Sequence, residues 1–176
     1  PCALGLTAYK LGSDDDQTAY YLAYVEKEKC QVTVFQLDES RESAKQPRFK
    51  RGFAQFAVSS FQGPTDVAFH APSTSLPVVD VTHVLQIALE SDDAADEPVV
   101  VASRFSKAYG IAVNRNGSFL VTDVAAHKAL EFAAPPDGGG EAALVRTWGC
   151  GSRGNSDGGF RTAAFDEPVG VAADGE

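Results

Sequence analysis

Apolar residues in this chain come in short runs separated by turn signals, and the runs recur in groups of four. The clearest group spans 109–148. Residues 109–114 (Tyr-Gly-Ile-Ala-Val-Asn) read as a first strand. Asn114-Arg115-Asn116-Gly117 reads as a tight turn, because Asn-Gly tolerates the positive φ of a hairpin. Residues 118–123 (Ser-Phe-Leu-Val-Thr-Asp) are a second strand, and 124–126 turn the chain. Residues 127–132 (His-Lys-Ala-Leu-Glu-Phe) make a third, a loop rich in Pro and Gly follows, and 143–148 make the fourth. Four short strands with turn signals between them predict one antiparallel meander. A second group predicts strands at 65–69, 76–81, 84–89 and 98–102, and a more degenerate first group at 4–9, 19–25, 30–37 and 49–56. The runs are apolar on both faces rather than cleanly alternating, which is the pattern of a sheet stacked between two others.

One phrase is spoken three times, beginning at Phe61, Phe105 and Phe165: Phe, two residues, Pro or Ala, one residue, Gly or Asp, Val or Ile, then Ala. A long-period repeat dictates architecture ahead of any local motif. The phrase, followed by Phe-Leu-Val-Thr-Asp, three residues, His-Lys-x-Leu-x-Phe and Trp-Gly-x-Gly, resembles the NHL repeat, whose copies form the blades of β-propellers. The resemblance is strong from Phe105 onward, moderate over 61–102 and weak before Phe61. Its specific parts are Phe105, Gly110 and the Asp123-x3-His127 spacing. Departures are Asp66 for the usual Gly, Ala108 for the usual Pro, and a turn shorter by one residue between Asp80 and His83. The expectation is an all-β chain: a β-propeller segment of about three four-stranded antiparallel blades plus the first strand of a fourth. A degenerate blade occupies 1–60, NHL-like blades occupy 61–104 and 105–164, and a further blade starts at 165–176, with its strand at 167–174.

Length changes this picture. The chain has 176 residues, while a closed propeller needs roughly 4 to 8 four-stranded blades. It begins at Pro1 and contains no Met, so it reads as a piece of a longer protein, with two copies associating into a homodimer that completes a ring as the alternative. The net charge of −9 argues against indiscriminate binding to nucleic acid or anionic membrane. No stretch approaches the ~18 to 20 apolar residues of a membrane span. Cys2, Cys30 and Cys150 are odd in number and widely spaced, which argues against a disulfide framework and for an intracellular location. Asn116-Gly117-Ser118 spells a glycosylation acceptor, but the turn already explains the Asn-Gly pair.

Local motifs read blandly beside the repeat. Gly149-x-Gly151-x-x-Gly154 spells a dinucleotide fingerprint, which works only where a helix begins. Asn155-Ser156-Asp157-Gly158-Gly159 is a poor helix start, so the stretch reads as the crossing between blades and no cofactor is assigned. His70, His83 and His127 could hold zinc. However, His83 and His127 fill equivalent slots beside Asp80 and Asp123, which reads as a repeated structural bond with no metal. The two aspartates end their strands and are placed to accept from turn backbone or from the histidines. Ser59-Ser60 and residues 73–75 lack a nucleophile-elbow context and read as loop. Cys150 lies near Arg146 and Arg153 in sequence, cations of the kind that activate a thiol, but no histidine is paired with it. Asp14-Asp15-Asp16 lacks the alternate carboxylates of a calcium loop. No catalytic residue is assigned.

Charge is expected to divide between two ends of the blades. Loops after first and third strands collect most acids and total about −10, and the other loops and crossings total about +1. The less acidic face carries Lys27, Lys29, Arg104, Lys107, Lys128, Arg153 and Arg161. In NHL propellers this face meets protein or RNA, so the resemblance implies a non-catalytic scaffold that binds a protein partner there. Two alternatives stay open. One is a propeller hydrolase or lyase with a central-channel site, for which His70 is the residue to watch. The other is RNA binding on the Lys/Arg face, with affinity lost when Lys107, Lys128 and Arg153 are neutralised.

Overall fold

The structure, a computed structural model, describes residues 3–11, 19–38, 48–57, 61–89, 98–136 and 140–174. Among the described residues twelve strands form three sheets. The first holds β1 (Ala3–Leu11), β2 (Ala19–Glu26), β3 (Gln31–Asp38) and β4 (Arg48–Ala57). The second holds β5 (Pro64–Val67), β6 (Ser75–Asp80), β7 (His83–Ala88) and β8 (Val99–Ala102). The third holds β9 (Ala108–Val113), β10 (Phe119–Asp123), β11 (Lys128–Phe132) and β12 (Leu144–Trp148). Each sheet is an antiparallel meander with its strands in chain order. The first strands β1, β5 and β9 meet between sheets, so they are the inner strands of a β-propeller segment, and β4, β8 and β12 are its outer edges. Among the described residues the helical pieces are two three-residue 3-10 turns, Lys27–Lys29 and Ala71–Ser73. Among the described residues no helix is long and apolar enough to cross a membrane.

Burial follows the two-faced sequence pattern. All six residues of β6 are buried. Leu76 and Val78 pack toward the first blade, in a cluster with Ala23, Val25, Val32, Val34 and Phe61. Val79, with Val84 and Val101, packs the opposite way, against Phe105, Ile111, Phe119, Val121 and Phe132 of the third blade. Alternate side chains of a strand point to opposite faces, so one six-residue strand supplies both interfaces. The repeated phenylalanine explains itself here. Phe105 is 5% exposed and its ring lies 5.7 Å from that of Phe132, which stacks in turn on Phe119 at 5.2 Å.

Two repeated polar devices hold the register. The aspartate ending the second strand clasps the loop that enters its own blade. Asp80 accepts from Gln62 N at 2.9 Å and Gly63 N at 2.6 Å, and Asp123 accepts from Ser106 N at 2.7 Å and Lys107 N at 3.0 Å. Of the two partner types expected for these aspartates, backbone is the one found. His83 Nδ1 bonds Thr82 Oγ1 instead, and His127 Nδ1 accepts from Glu167 N. The second device crosses between blades at the inner strands. Thr65 Oγ1 donates to Tyr109 O at 2.8 Å, and Thr122 Oγ1 donates to Val169 O at 2.9 Å. Tyr109 and Val169 hold the same place in the repeated phrase, so residues 165–174 lie where an opening strand belongs. They form no ladder, because among the described residues they have no neighbour to pair with beyond one parallel bridge between Phe165 and Arg153. Gly110 permits this approach, since a Cβ there would collide with the Val169 carbonyl oxygen.

The two-sided packing makes a quantitative prediction. Phe105→Ala removes a ring held between blades and is expected to cost about 3–5 kcal/mol. Val145→Ala, on a side chain 57% exposed, is expected to change stability by less than about 0.5 kcal/mol. Urea unfolding of both variants checks the contrast, and equal midpoints would contradict the inter-blade role of Phe105.

Candidate functional site

Among the described residues the side chains with potential chemistry gather in three places. The first is the hairpin end of the second and third blades. His70 is buried, precedes the 3-10 turn Ala71–Ser73 and accepts from Ser73 N at 3.3 Å. Its Nδ1 lies 2.5 Å from Ser73 Oγ and its Nε2 lies 3.0 Å from the Gly117 carbonyl oxygen. A carbonyl oxygen only accepts, so Nε2 carries the proton and Nδ1 is the acceptor for Ser73. Gln86 Nε2 donates to Ser73 Oγ and Ser75 Oγ, both at 2.8 Å. His70 therefore caps its own turn and ties it to the next blade's Asn-Gly hairpin. A central-channel role, for which His70 is the residue to watch, has no support in this geometry, because its ring is occupied by two loops. Ser73, read from sequence as a plain loop residue, is its partner, and an i, i+3 spacing inside a 3-10 turn was the only sequence signal. Burial pulls the His70 pKa down, and the bond to Gly117 partly offsets this.

The second place is the inner strand of the middle blade. Asp66 stands where the other copies of the phrase have glycine. Its Oδ1 accepts from Val67 N and its Oδ2 from Ile111 N of the next blade, both at 2.9 Å. Burial pushes its pKa up, against the pull of those two bonds. Oδ1 is thus used within β5 and Oδ2 in joining β5 to β9, and the departure from the repeat pattern is a structural one.

The third place is an open cleft of about 550 Å³ along β12, lined by Lys128, Leu144, Val145, Arg146, Thr147, Gly149, Cys150, Phe160 and Arg161. The 149–164 crossing forms its far wall, tied back by Gly149 N to Phe160 O at 2.6 Å and Cys150 N to Ala163 O at 2.8 Å. Gly149 and Gly151 take positive φ, and the crossing opens no helix, so the glycine triplet is a loop as expected. The Arg146 guanidinium lies 5.1 Å from the Trp148 ring centre and 5.6 Å from that of Phe160, and Arg161 lies 5.3 Å from Phe160. Trp148 meets Phe160 edge-on at 6.2 Å. Glu131 steadies the stack, reaching Arg146 Nε at 3.7 Å and accepting from Trp148 Nε1 at 3.2 Å. The lining carries three cations and no anion, in a chain of net charge −9. A neighbouring cleft shares Gly149 and Phe160 and is otherwise lined by Trp148, Phe165 and residues of the crossing.

The seven basic residues expected to bind a partner fare differently. Lys128 and Arg161 come together in the cleft, and among the described residues neither has an ion-pair partner. Arg153 is paired with Asp166 at 2.9 Å and Lys29 with Glu26 at 2.8 Å. Lys27, Arg104 and Lys107 are exposed at the same end of the blades. The division of charge is less clean than the loop classes predict. Glu141, assigned to the acidic face, bonds Ser103 beside Arg104, because the chain before β12 runs back against the outer strand of the middle blade, where Ala142 N donates to Val101 O at 2.7 Å. Most of the expected acidic loops, within 12–18, 39–47, 90–97 and 137–139, lie outside the described residues. Sequence reasoning missed Arg146 and Phe160 as cleft residues. A lone aromatic between Gly159 and Arg161 was the available signal.

No protein-family model and no curated protein matches the chain. Solved structures do. A structural-genomics protein of unknown function from Bacteroides thetaiotaomicron VPI-5482 matches 89% of this chain and 40% of its own, at 15% identity and a TM-score of 0.57. An auxiliary nutrient binding protein from the same organism matches 88% and 40%, at 17% identity and 0.55. A streptogramin B lyase matches 97% and 44%, at 11% identity and 0.54. The chain spans less than half the length of each, and at these identities the likeness establishes the fold.

The His70 tether predicts a pH dependence. Its folded pKa is lowered from an unfolded value near 6.5. The stability it lends is therefore full above that unfolded value and is lost as pH falls through the folded one. Thermal midpoints are expected to drop on acidification below about pH 6.5 in the parent and to drop less in His70→Gln. Gly117→Ala is expected to cost about 1–3 kcal/mol, because φ there is +83° and a Cβ would stand 2.6 Å from His70 Nε2. Identical acid profiles for parent and His70→Gln would remove the tether from the account.

Proposed function

We propose that this chain is part of an NHL-type propeller that serves as a non-catalytic platform for a protein partner, received at the less acidic end of the blades and in the cleft along β12. The observation that carries the reading is the composition of that cleft: Lys128, Arg146 and Arg161 with no acid among the lining residues, in an acidic chain. Such a site selects acidic surfaces and is steered toward them by its local field. Arginine and aromatic side chains are the residue types that concentrate at protein interfaces, and Arg146, Trp148 and Phe160 are stacked together here. The repeated phrase at Phe61, Phe105 and Phe165 supports the NHL assignment. The similarity to a nutrient binding protein is compatible with a binding role.

Protein is favoured over RNA by the balance of charge. Counterion release from a nucleic acid rewards many cations along the backbone, and two of the seven basic residues, Lys29 and Arg153, already have carboxylate partners. Fluorescence anisotropy with labelled acidic peptides, matched basic peptides and a single-stranded RNA of equal length tests the reading. Acidic peptides are expected to bind, and the double variant Arg146→Glu, Arg161→Glu to lose at least about tenfold in affinity. Tighter binding of RNA than of acidic peptide, falling steeply with salt, would replace the protein platform by a nucleic-acid one.

A further inference from the structure

We propose that the partner engages β12 by strand addition: an extended acidic segment lies in the cleft and pairs with the free edge of Leu144–Trp148 as a fifth strand of the blade. The inference rests on the platform reading and specifies its mode.

Four observations lead to it. First, among the described residues β12 ends its sheet, with β11 as its one neighbour, so there its second edge presents backbone N–H and C=O groups without a ladder. Second, the cleft touches Leu144, Val145, Arg146 and Thr147 in succession. Beyond the irregularity at Val145, neighbouring strand residues point to opposite faces, so a cleft that meets both Arg146 and Thr147 runs along the edge rather than over one face. Third, the edge is apolar as well as open: Leu-Val-Arg-Thr-Trp holds neither Lys nor Pro, and its one charged side chain, Arg146, is drawn onto Trp148 and Phe160. Five large apolar side chains are exposed among the described residues, and three of them, Leu144, Val145 and Phe160 at 54%, 57% and 44%, border this cleft. Fourth, no acid lines the cleft, and Lys128 and Arg161 have no ion-pair partner among the described residues, which makes an acidic segment the complementary occupant. In strand addition the main chain supplies affinity and alternate side chains supply specificity. Here alternate acids would meet Arg146, Arg161 and Lys128, while the intervening apolar residues cover Val145 and Phe160.

The probe is a fluorescein-labelled decapeptide of alternating Asp and Val, titrated into the 176-residue chain at fixed ionic strength. Two further versions carry N-methyl groups on the backbone along one edge or along the other. A strand added to β12 uses one edge, so methylation of that edge is expected to weaken binding by at least about tenfold and methylation of the other edge by little. Amide hydrogen exchange at 144–148 is expected to slow on binding. Arg146→Glu, a surface change, is expected to weaken the unmodified peptide. Equal binding by all three peptides would overturn strand addition and leave an acid-selective platform standing. Failure of every acidic peptide to bind would overturn both. A doubled solution mass with protected 144–148 amides and no peptide binding would make a second copy the occupant and also overturn the proposal.

Discussion

A sheet with apolar side chains on both faces cannot stand alone in water, and this constraint governs the rest of the molecule. β6 is buried along its whole length because it gives Leu76 and Val78 to one neighbour and Val79 to the other. The middle blade is therefore a shared wall rather than a domain with its own core. Stability in such arrays is close to a sum over nearest-neighbour interfaces. The polar contacts between blades set how the interfaces align. Thr65 to Tyr109 and Asp66 to Ile111 fix β5 against β9, and Thr122 to Val169 repeats the first of these one step on.

The same geometry explains where chemistry can appear. Inner strands are crowded, and their polar groups are consumed in joining blades, as Asp66 shows. The ends and outer edges are where side chains stay free. At β12 the arginine is not a loose surface charge. Glu131, Trp148 and Phe160 hold its guanidinium from three directions, so less rotamer freedom is lost when it meets a ligand group. Lys128 and Arg161 then add charge from the start of β11 and from a crossing that the sheet brings to one place.

Much of the fold was legible because its signals are local and repeated. Asn116-Gly117 marks a hairpin by its need for positive φ, and the phenylalanine phrase marks each entry into an inner strand. The twelve strands fall within a few residues of where apolar runs placed them. What was not legible depends on long-range return of the chain. The aspartate clasps link residues 16 to 18 apart, and no local rule chooses a loop amide over the adjacent histidine. Glu141 leaves its expected side because the chain before β12 folds back on Val101 and Ser103. Arg146 reads as an ordinary strand residue until the glycine-rich crossing brings Phe160 over it. Segment 167–174 has the sequence of a strand, but pairing is a property of two segments.

The clasps of Asp80 and Asp123 have an evolutionary meaning. Their partners at Gln62, Gly63, Ser106 and Lys107 are backbone amides, which every residue except proline possesses. Mutation can therefore rewrite the side chains at Gln62, Ser106 and Lys107, all of them exposed, without loosening the joint that orders the loop. Descendants of such a chain can change the chemistry of this surface while inheriting its architecture intact, and lineages can diverge in what they recognise long before they diverge in shape.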